Sequence, residues 1–451
     1  MLCRHKKCTE NSFPTCGACL RLNLECVRAP RRHVVATPNC PDLVTITKVQ
    51  RSPLANVYPD WQASSEVTQI EKAVRRHAMR YYMDVLSQLL TVSITHNSFV
   101  SAFLPMAIES QPLADALVAY SSCHMRSIDD QYAIVSVHAR SKALSGLARH
   151  LMQRDCAEIN VAVCMVLLTS EVCNGDYVAW YSHLLGAKQI LLTAAAQGEP
   201  VMEILRRSNE GQWILRNYAY HDILGSVTSG RQSVMGANYL EGITNVTDTY
   251  LGVATPLLVF IAEISNLDCD NTVADTDLWH KCLEIQGKLQ AWECPPAALA
   301  AHTPLTYAYR GAALVYLYRK MRHIGAVARK PQDPGLCDNV APFDVEFGIR
   351  DEASRTLGHI MNVPVGDTTE AALLFPIFLA GGEVIQHDEI EFVRERLRGM
   401  FAKRGFENIA RALQILETLW ALRNNDPIGA HLQTDWQQVV ESQKSGPLLL
   451  F

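Results

Sequence analysis

Five cysteines fall within the first 26 residues, spaced Cys3-x4-Cys8-x7-Cys16-x2-Cys19-x6-Cys26. Zinc takes tetrahedral thiolate ligands, and two thiolates separated by two residues can grip one ion from a tight turn. Pro14 presets that turn, and Gly17 and Ala18 leave room for the backbone to curl round a metal. A segment this short and cysteine-dense has no apolar core, so metal binding must supply its folding energy. Residues 1–33 also hold seven Lys/Arg (Arg4, Lys6, Lys7, Arg21, Arg28, Arg31, Arg32) against Glu10 and Glu25, a net of +5. The other 418 residues hold 34 basic and 44 acidic side chains, a net of −10. A basic arm on a mildly acidic body points to a polyanion as the partner of the arm alone. The nine remaining cysteines (Cys40, Cys123, Cys156, Cys164, Cys173, Cys269, Cys282, Cys294 and Cys337) form no pair at metal-ligand spacing. They read as buried thiols acting as small hydrophobes in a reducing compartment.

The stretch "PTCGACLRLNLEC" (14–26) resembles the second half of the fungal binuclear zinc cluster of Zn2Cys6 transcription factors. That family reads Cys-x2-Cys-x6-Cys, a proline-bearing loop, then Cys-x2-Cys-x6-Cys. Cys16, Cys19 and Cys26 fall on its last three cysteines, Cys8 on its third, and Leu20 and Leu24 on its small apolar positions. Aligned without a gap, Arg4, His5 and Lys7 take the family's basic positions, Met1 stands where the second cysteine belongs, and Cys3 sits on a variable position. A rival alignment makes Cys3 the second cysteine, with a two-residue deletion that breaks the basic register. The gap-free alignment is preferred.

The resemblance implies zinc on Cys8, Cys16, Cys19 and Cys26, with Cys3 outside the ligand set unless it completes a single site. Two ions are expected if an upstream segment supplies the missing thiolates, and one or none from the sequence as given. A late start codon or a missed upstream exon ranks ahead of degeneration as the reason. The resemblance further implies that Arg4 and His5 face base edges of a CGG-type triplet in the major groove. Lys7 would lie near phosphate, and Arg21, Arg28, Arg31 and Arg32 would add phosphate contacts. A basic tail without fixed structure is the plainer alternative.

These residues need a scaffold. Residues 34–65 carry Pro38, Pro41, Pro53 and Pro59 with no helical period and no heptads, so they read as a linker and not a coiled coil. From Ser65 the pattern turns helical: Ile70, Val74, Ala78, Tyr81/Tyr82, Val85 and Leu89 recur every three or four residues. "INVAVCMVLLTSEVC" (159–173) is apolar all round and predicts a helix buried on every side. Further helices are expected at 111–125, 132–152, 178–195, 200–206, 211–228, 254–267, 276–291, 304–324, 346–361, 367–385, 388–403 and 406–423. Clustered prolines mark loops at 292–304 and 329–342. "YLGVATPLLVFIAEI" (250–264) is too short to span a bilayer and carries Glu263, so it belongs in a core. The expected fold is all-α: a helical-bundle or α-solenoid-like regulatory body over 66–451, preceded by the linker 34–65 and the zinc-cluster segment 1–33. With no apolar signal region and no long apolar run, the protein is expected to be soluble and intracellular, without a membrane partner.

The body resembles the fungal-specific transcription factor domain. "AWYSHLLGAKQILL" (179–192) matches a Trp-x2-His-Leu-x-Gly-Ala signature through Trp180, His183, Leu184, Gly186 and Ala187. "NYAYHDILGSVTSGRQ" (217–232) matches an aromatic-His-Asp segment ending in Gly-Arg, through Tyr220, His221, Asp222, Gly230 and Arg231. "YLGVATPLLVFIAEISNL", "AYRGAALVYLYRKM", "LLFPIFLAGGEV" and "IARALQILETLWALR" continue in the same order, so the resemblance spans roughly 66–425. Packing explains these motifs: Gly186 and Ala187 admit close helix approach, and Trp180 and His183 share a helix face as a core or interface pair.

Catalytic readings are weak. Adjacent helical residues such as His221 and Asp222 point about 100° apart, which favours a capped or solvated structural role. Glu383, His387 and Asp388 have metal-like spacing but no third ligand placed by the sequence. No phosphate-binding loop, dinucleotide fingerprint, nucleophile elbow or zinc-protease helix is present, so no enzyme is expected.

The reading that results is a nuclear, sequence-specific regulator of RNA polymerase II genes, implied by the family to serve metabolic or secondary-metabolite clusters. The alternative is a degenerate regulator acting through protein or small-molecule contacts of the helical body. DNA is the expected partner and the inducer is unknown. Without a coiled coil, a monomer and a homodimer built through the helical body stay equally open.

Overall fold

The computed structural model describes the chain from Ser65 onward, except residues 154–155, 194–197, 268–274, 297–299, 329–343, 425–433, 444–445, 447 and 451. The first helix, α1 (Ser65–Tyr81), continues through a π-helical turn at Tyr82–Leu86 into α2 (Ser87–Leu90). Two short helices, α3 (Ser98–Ser101) and α4 (Phe103–Glu109), lead into α5 (Gln111–Met125), α6 (Tyr132–Gln153), α7 (Ala157–Cys173) and α8 (Ala179–Leu191). The chain then forms α9 (Val201–Leu205), α10 (Asn209–Ser229), α11 (Leu257–Ser265), α12 (Asp275–Ala291) and α13 (His302–Ala328). It ends with α14 (Val345–Met361), α15 (Leu374–Gly381), α16 (His387–Arg404), α17 (Glu407–Asn424) and α18 (Trp436–Ser442). Among the described residues no strand forms, only one isolated bridge between Asp248 and Gly252. The body is all-α.

Neighbours in sequence pack as pairs: α5 with α6, α7 with α8, α13 with α14, α16 with α17. Among the helices of the interior are α7, α10, α13 and α15. α7 is buried from Asn160 to Cys173 without interruption, as its all-round apolar sequence predicts. α13 is the spine, packed by α11, α12, α14 and α15, with Leu305, Tyr309, Ala312, Val315, Leu317 and Met321 all sealed from solvent. α17 returns to touch α7. No described helix is long and apolar enough to cross a membrane.

Several boundaries differ from the sequence reading. The helix expected at 254–267 begins at Leu257, because residues 248–256 fold as turns around the Asp248–Gly252 bridge. The one expected at 367–385 divides into a 3-10 turn (Thr368–Ala372), capped by Asp367, and α15. α3, α4 and α18 were not expected; each has seven residues or fewer, too short for a helical period to register. Of the cysteines, Cys164, Cys173 and Cys282 are buried as expected. Cys156 is exposed, at the left-handed residue that starts α7 (φ 46°), and Cys123 and Cys294 are half-buried.

Candidate functional site

The two signature segments converge in space. Trp180, buried in α8, packs its indole over Gly225 of α10, where an added Cβ would lie 2.9 Å from the ring and 3.2 Å from Leu449. α10 stops at Gly230, which takes the left-handed conformation (φ 61°) that disfavours residues with a Cβ. The loop behind it is tied down. Both Asp222 oxygens accept backbone amides, from Val234 at 2.5 Å and Met235 at 3.0 Å. The Lys188 ammonium of α8 donates to the Val234 carbonyl at 2.9 Å. Arg231 is thereby delivered to one wall of a cleft of about 630 Å³.

That cleft is bounded by the start of α8 (Tyr177, Tyr181), the end of α10 (Thr228–Arg231), α13 (Tyr316, Arg319, Lys320, His323), α18 and Gly446. A cation lies over each of three tyrosine rings that line it. Arg231 lies 5.6 Å over the Tyr181 ring, Lys320 5.8 Å over Tyr316, and Arg411 3.8 Å over Tyr177. Its floor is a buried ion network. Arg319 bonds Glu383 and both oxygens of Asp435 (2.6 Å each), and stacks 4.9 Å from the Trp436 ring. Arg322 adds contacts of 3.5 Å to Glu383 and 3.4 Å to Asp435. Burial pushes the Asp435 carboxyl up, but Arg319 and the Gln437 amide more than offset this and hold it below its ordinary value. Burial opposes the Arg319 charge, which Glu383 and Asp435 restore. Burial pushes the His323 imidazole down, against the pull of Asp435.

Asp435 serves twice. It neutralises the spine arginine and forms the capping box of α18 with Gln438. The chain beyond α18 is fastened too: Thr228 Oγ1 donates to the Leu448 carbonyl, Asn408 Nδ2 to Leu449 at 3.2 Å, and Arg411 Nη2 to Gly446 at 2.5 Å.

The remaining sequence candidates fall as follows. His183 does not share the core with Trp180; it is half-buried, its Nε2 3.8 Å from Glu171, which Arg140 approaches at 2.6 Å. His221 and Asp222 are both buried, so their role is structural but not solvated. His221 Nδ1 faces the Asn217 carbonyl at 2.8 Å while Asp222 faces the 234–235 amides, so the pair addresses no common atom. Glu383 turns inward to Arg319, whereas His387 and Asp388 are exposed at the start of α16. The structure does not bring those three together, and among the described residues no cluster of metal-binding side chains occurs. Cys3, Cys8, Cys16, Cys19, Cys26, Arg4, His5, Lys7, Arg21, Arg28, Arg31 and Arg32 lie outside the described residues. Sequence reasoning missed Tyr316, Lys320 and α18 as wall residues. The signal for the first two was present in "LVYLYRKM", where Tyr316, Arg319 and Lys320 share one helix face.

Residues 77–451 match the fungal specific transcription factor domain, and the chain belongs to that family. Its sequence is 22% identical over 336 residues to the transcriptional activator protein UGA3 of Saccharomyces cerevisiae, covering 58% of this chain and 63% of that protein. The chain thus spans less than two thirds of the length of the curated relative it matches. No solved structure matches it.

Proposed function

We propose that the protein is a nuclear, sequence-specific DNA-binding regulator of RNA polymerase II genes, read through an N-terminal zinc segment and governed by the helical body. The observation that carries this reading is the join between a body of the fungal transcription factor family and the Cys16-x2-Cys19-x6-Cys26 half-cluster in a basic arm. The donor set suits zinc: thiolates only, two of them two residues apart. Cys8, Cys16, Cys19 and Cys26 would hold the metal. Arg4 and His5 would read a CGG-type triplet, and Lys7, Arg21, Arg28, Arg31 and Arg32 would bind phosphate. The relative's name supports activation as the sign of the effect. Without heptads in the linker, any self-association would run through the helical body, and a monomer is the equal alternative.

The test is elemental zinc content and gel shift of the full chain on CGG-bearing duplexes. Zinc bound, and a shift lost in Cys16→Ser with the body's helicity intact, supports the proposal. A flat gel shift with no zinc favours a regulator that acts through the body alone. Sedimentation on a duplex with two half-sites reports whether two copies assemble.

A further inference from the structure

Helix α6 reverses the usual order of a surface helix. The face it turns to the body is small: Ser136, Ala139, Ala143 and Gly146 are buried there, with Leu147. Gly146 fixes this orientation, because an added Cβ would lie 2.5 Å from the Pro112 ring of α5. The large apolar side chains point away. Ile134, Val137, Leu144, Leu151 and Met152 are 36–85% exposed, whereas a helix on a globular body ordinarily sets such residues against the core. No other helix among the described residues exposes as many. The exposed set also keeps a period. Ile134, Val137, Ser141, Leu144, Ala148 and Leu151 follow one another by three and four residues in turn, over about 27 Å of helix. A seven-residue period of this kind is what lets one helix lie along another.

We propose that this face pairs with the same face of a second copy of the chain, the two α6 helices antiparallel across a two-fold axis. The order of the spacings is the same read from either end. In an antiparallel pair Ile134 therefore meets Leu151, Val137 meets Ala148 and Ser141 meets Leu144, each contact made twice. That direction also sets the helix dipoles against each other favourably. The charged flanks do not resist the approach. Arg140 and Lys142 are already matched within the chain, by Glu171 at 2.6 Å and Glu71 at 2.7 Å, and Arg149 falls outside the seam. The Ser141 hydroxyl can turn to the carbonyl four residues back, so it tolerates burial. The five large side chains leave roughly 500 Å² in water per copy, so the pair reaches the ~1,000 Å² that a specific interface needs, near its lower end. Dissociation in the micromolar range follows. This pairing gives self-association through the body a surface, and it does not depend on DNA binding.

The test is sedimentation equilibrium of the full chain, without DNA and with a thiol reductant, at about 1–100 µM. The expected result is a reversible monomer–dimer equilibrium. Val137→Glu should weaken it about hundredfold, because two unpaired carboxylates enter the seam. The same variant should melt as the parent does at concentrations where the parent is monomeric, since Val137 is 68% exposed. Ala148→Lys alone should weaken the dimer too. Combining the two substitutions sets the new carboxylate of one copy against the new ammonium of the other and should recover about tenfold. In a parallel pair each substituted position meets itself, and no recovery occurs. A monomer at every concentration overturns the proposal and leaves the face to a different protein or to residues before Ser65. A dimer that Val137→Glu leaves intact, or that the double variant does not recover, overturns it as well. Failure to bind DNA changes none of these readings.

Discussion

The adjacent side chains His221 and Asp222, both sealed inside α10, titrate in opposite senses, and their contributions to stability should cancel in mild acid. Burial pushes the His221 imidazole down to about 4 from an ordinary 6.5, against the bond to the Asn217 carbonyl. Burial pushes the Asp222 carboxyl up to about 6 from 3.8, against its two amide donors and Lys188. On acidification the unfolded chain protonates His221 before the folded one does. The His221 contribution is therefore complete above pH 6.5 and is lost as pH falls toward 4. Asp222 runs the other way, because the folded carboxyl keeps its proton after the unfolded one releases it. Its contribution is complete below pH 3.8 and is lost as pH rises through 6. Integrated from pH 6 down to pH 4, linkage gives a loss of about 2 kcal/mol from His221 and a gain of about 2 kcal/mol from Asp222. The assay is far-UV melting of the full chain across this range for the parent, His221→Phe and Asp222→Asn. Between pH 6 and pH 4, relative to the parent, His221→Phe should rise by ~2–3 °C and Asp222→Asn should fall by a similar amount. Taking differences from the parent removes every other titrating group. If both variants ran parallel to the parent, the two groups would not be buried as described and the reasoning would fail.

Other outcomes follow from the packing. Arg319→Met should cost about 3 kcal/mol, measured by chemical denaturation, since it removes the cation bonded to both Glu383 and Asp435 and leaves these buried acids to the more distant Arg322 and Arg423. Gly225→Ala should cost about 1–3 kcal/mol by overpacking and shift tryptophan fluorescence, because its Cβ enters the Trp180 ring; Leu449→Ala on the same background should recover part of that loss. Peptide mapping after brief alkylation should find Cys156 modified while Cys164, Cys173 and Cys282 react only on unfolding. Burial also pushes the Cys164 thiol up to about 12, removing its nucleophilic form.

The fold was legible wherever a single helix carried its own evidence. α7 announced itself because its apolar residues leave no polar face, and α13 because its pattern runs unbroken through a long stretch. Short elements failed that test, though α18 did carry a readable sign in the Asp435…Gln438 capping box. The cleft was only half legible. Gly230-Arg231 stood out as a motif, yet nothing local reveals that Asp435 lies against Arg319, 116 residues away. Pairings of that kind belong to the tertiary fold. The same is true of His183, whose spacing from Trp180 suggested a shared face but whose partner, Glu171, comes from the preceding helix. The zinc argument rests on spacing alone, as those residues fall outside the described part.

The fastening of Leu448–Leu450 has a consequence for how the molecule reaches its native state. Thr228 meets Leu448 across 220 residues, and His124 meets the Arg404 carbonyl across 280. Contacts this distant close late, because the entropy of the intervening loop is lost before they can form. On the ribosome, α8 and α10 emerge long before the segment that seals Trp180 and Gly225. Their apolar faces must wait, open to solvent and to chaperones, until residues 448–450 have emerged. Variants that loosen this closure should then betray themselves first as lower yield in the cell, before any change in the properties of the molecules that do mature.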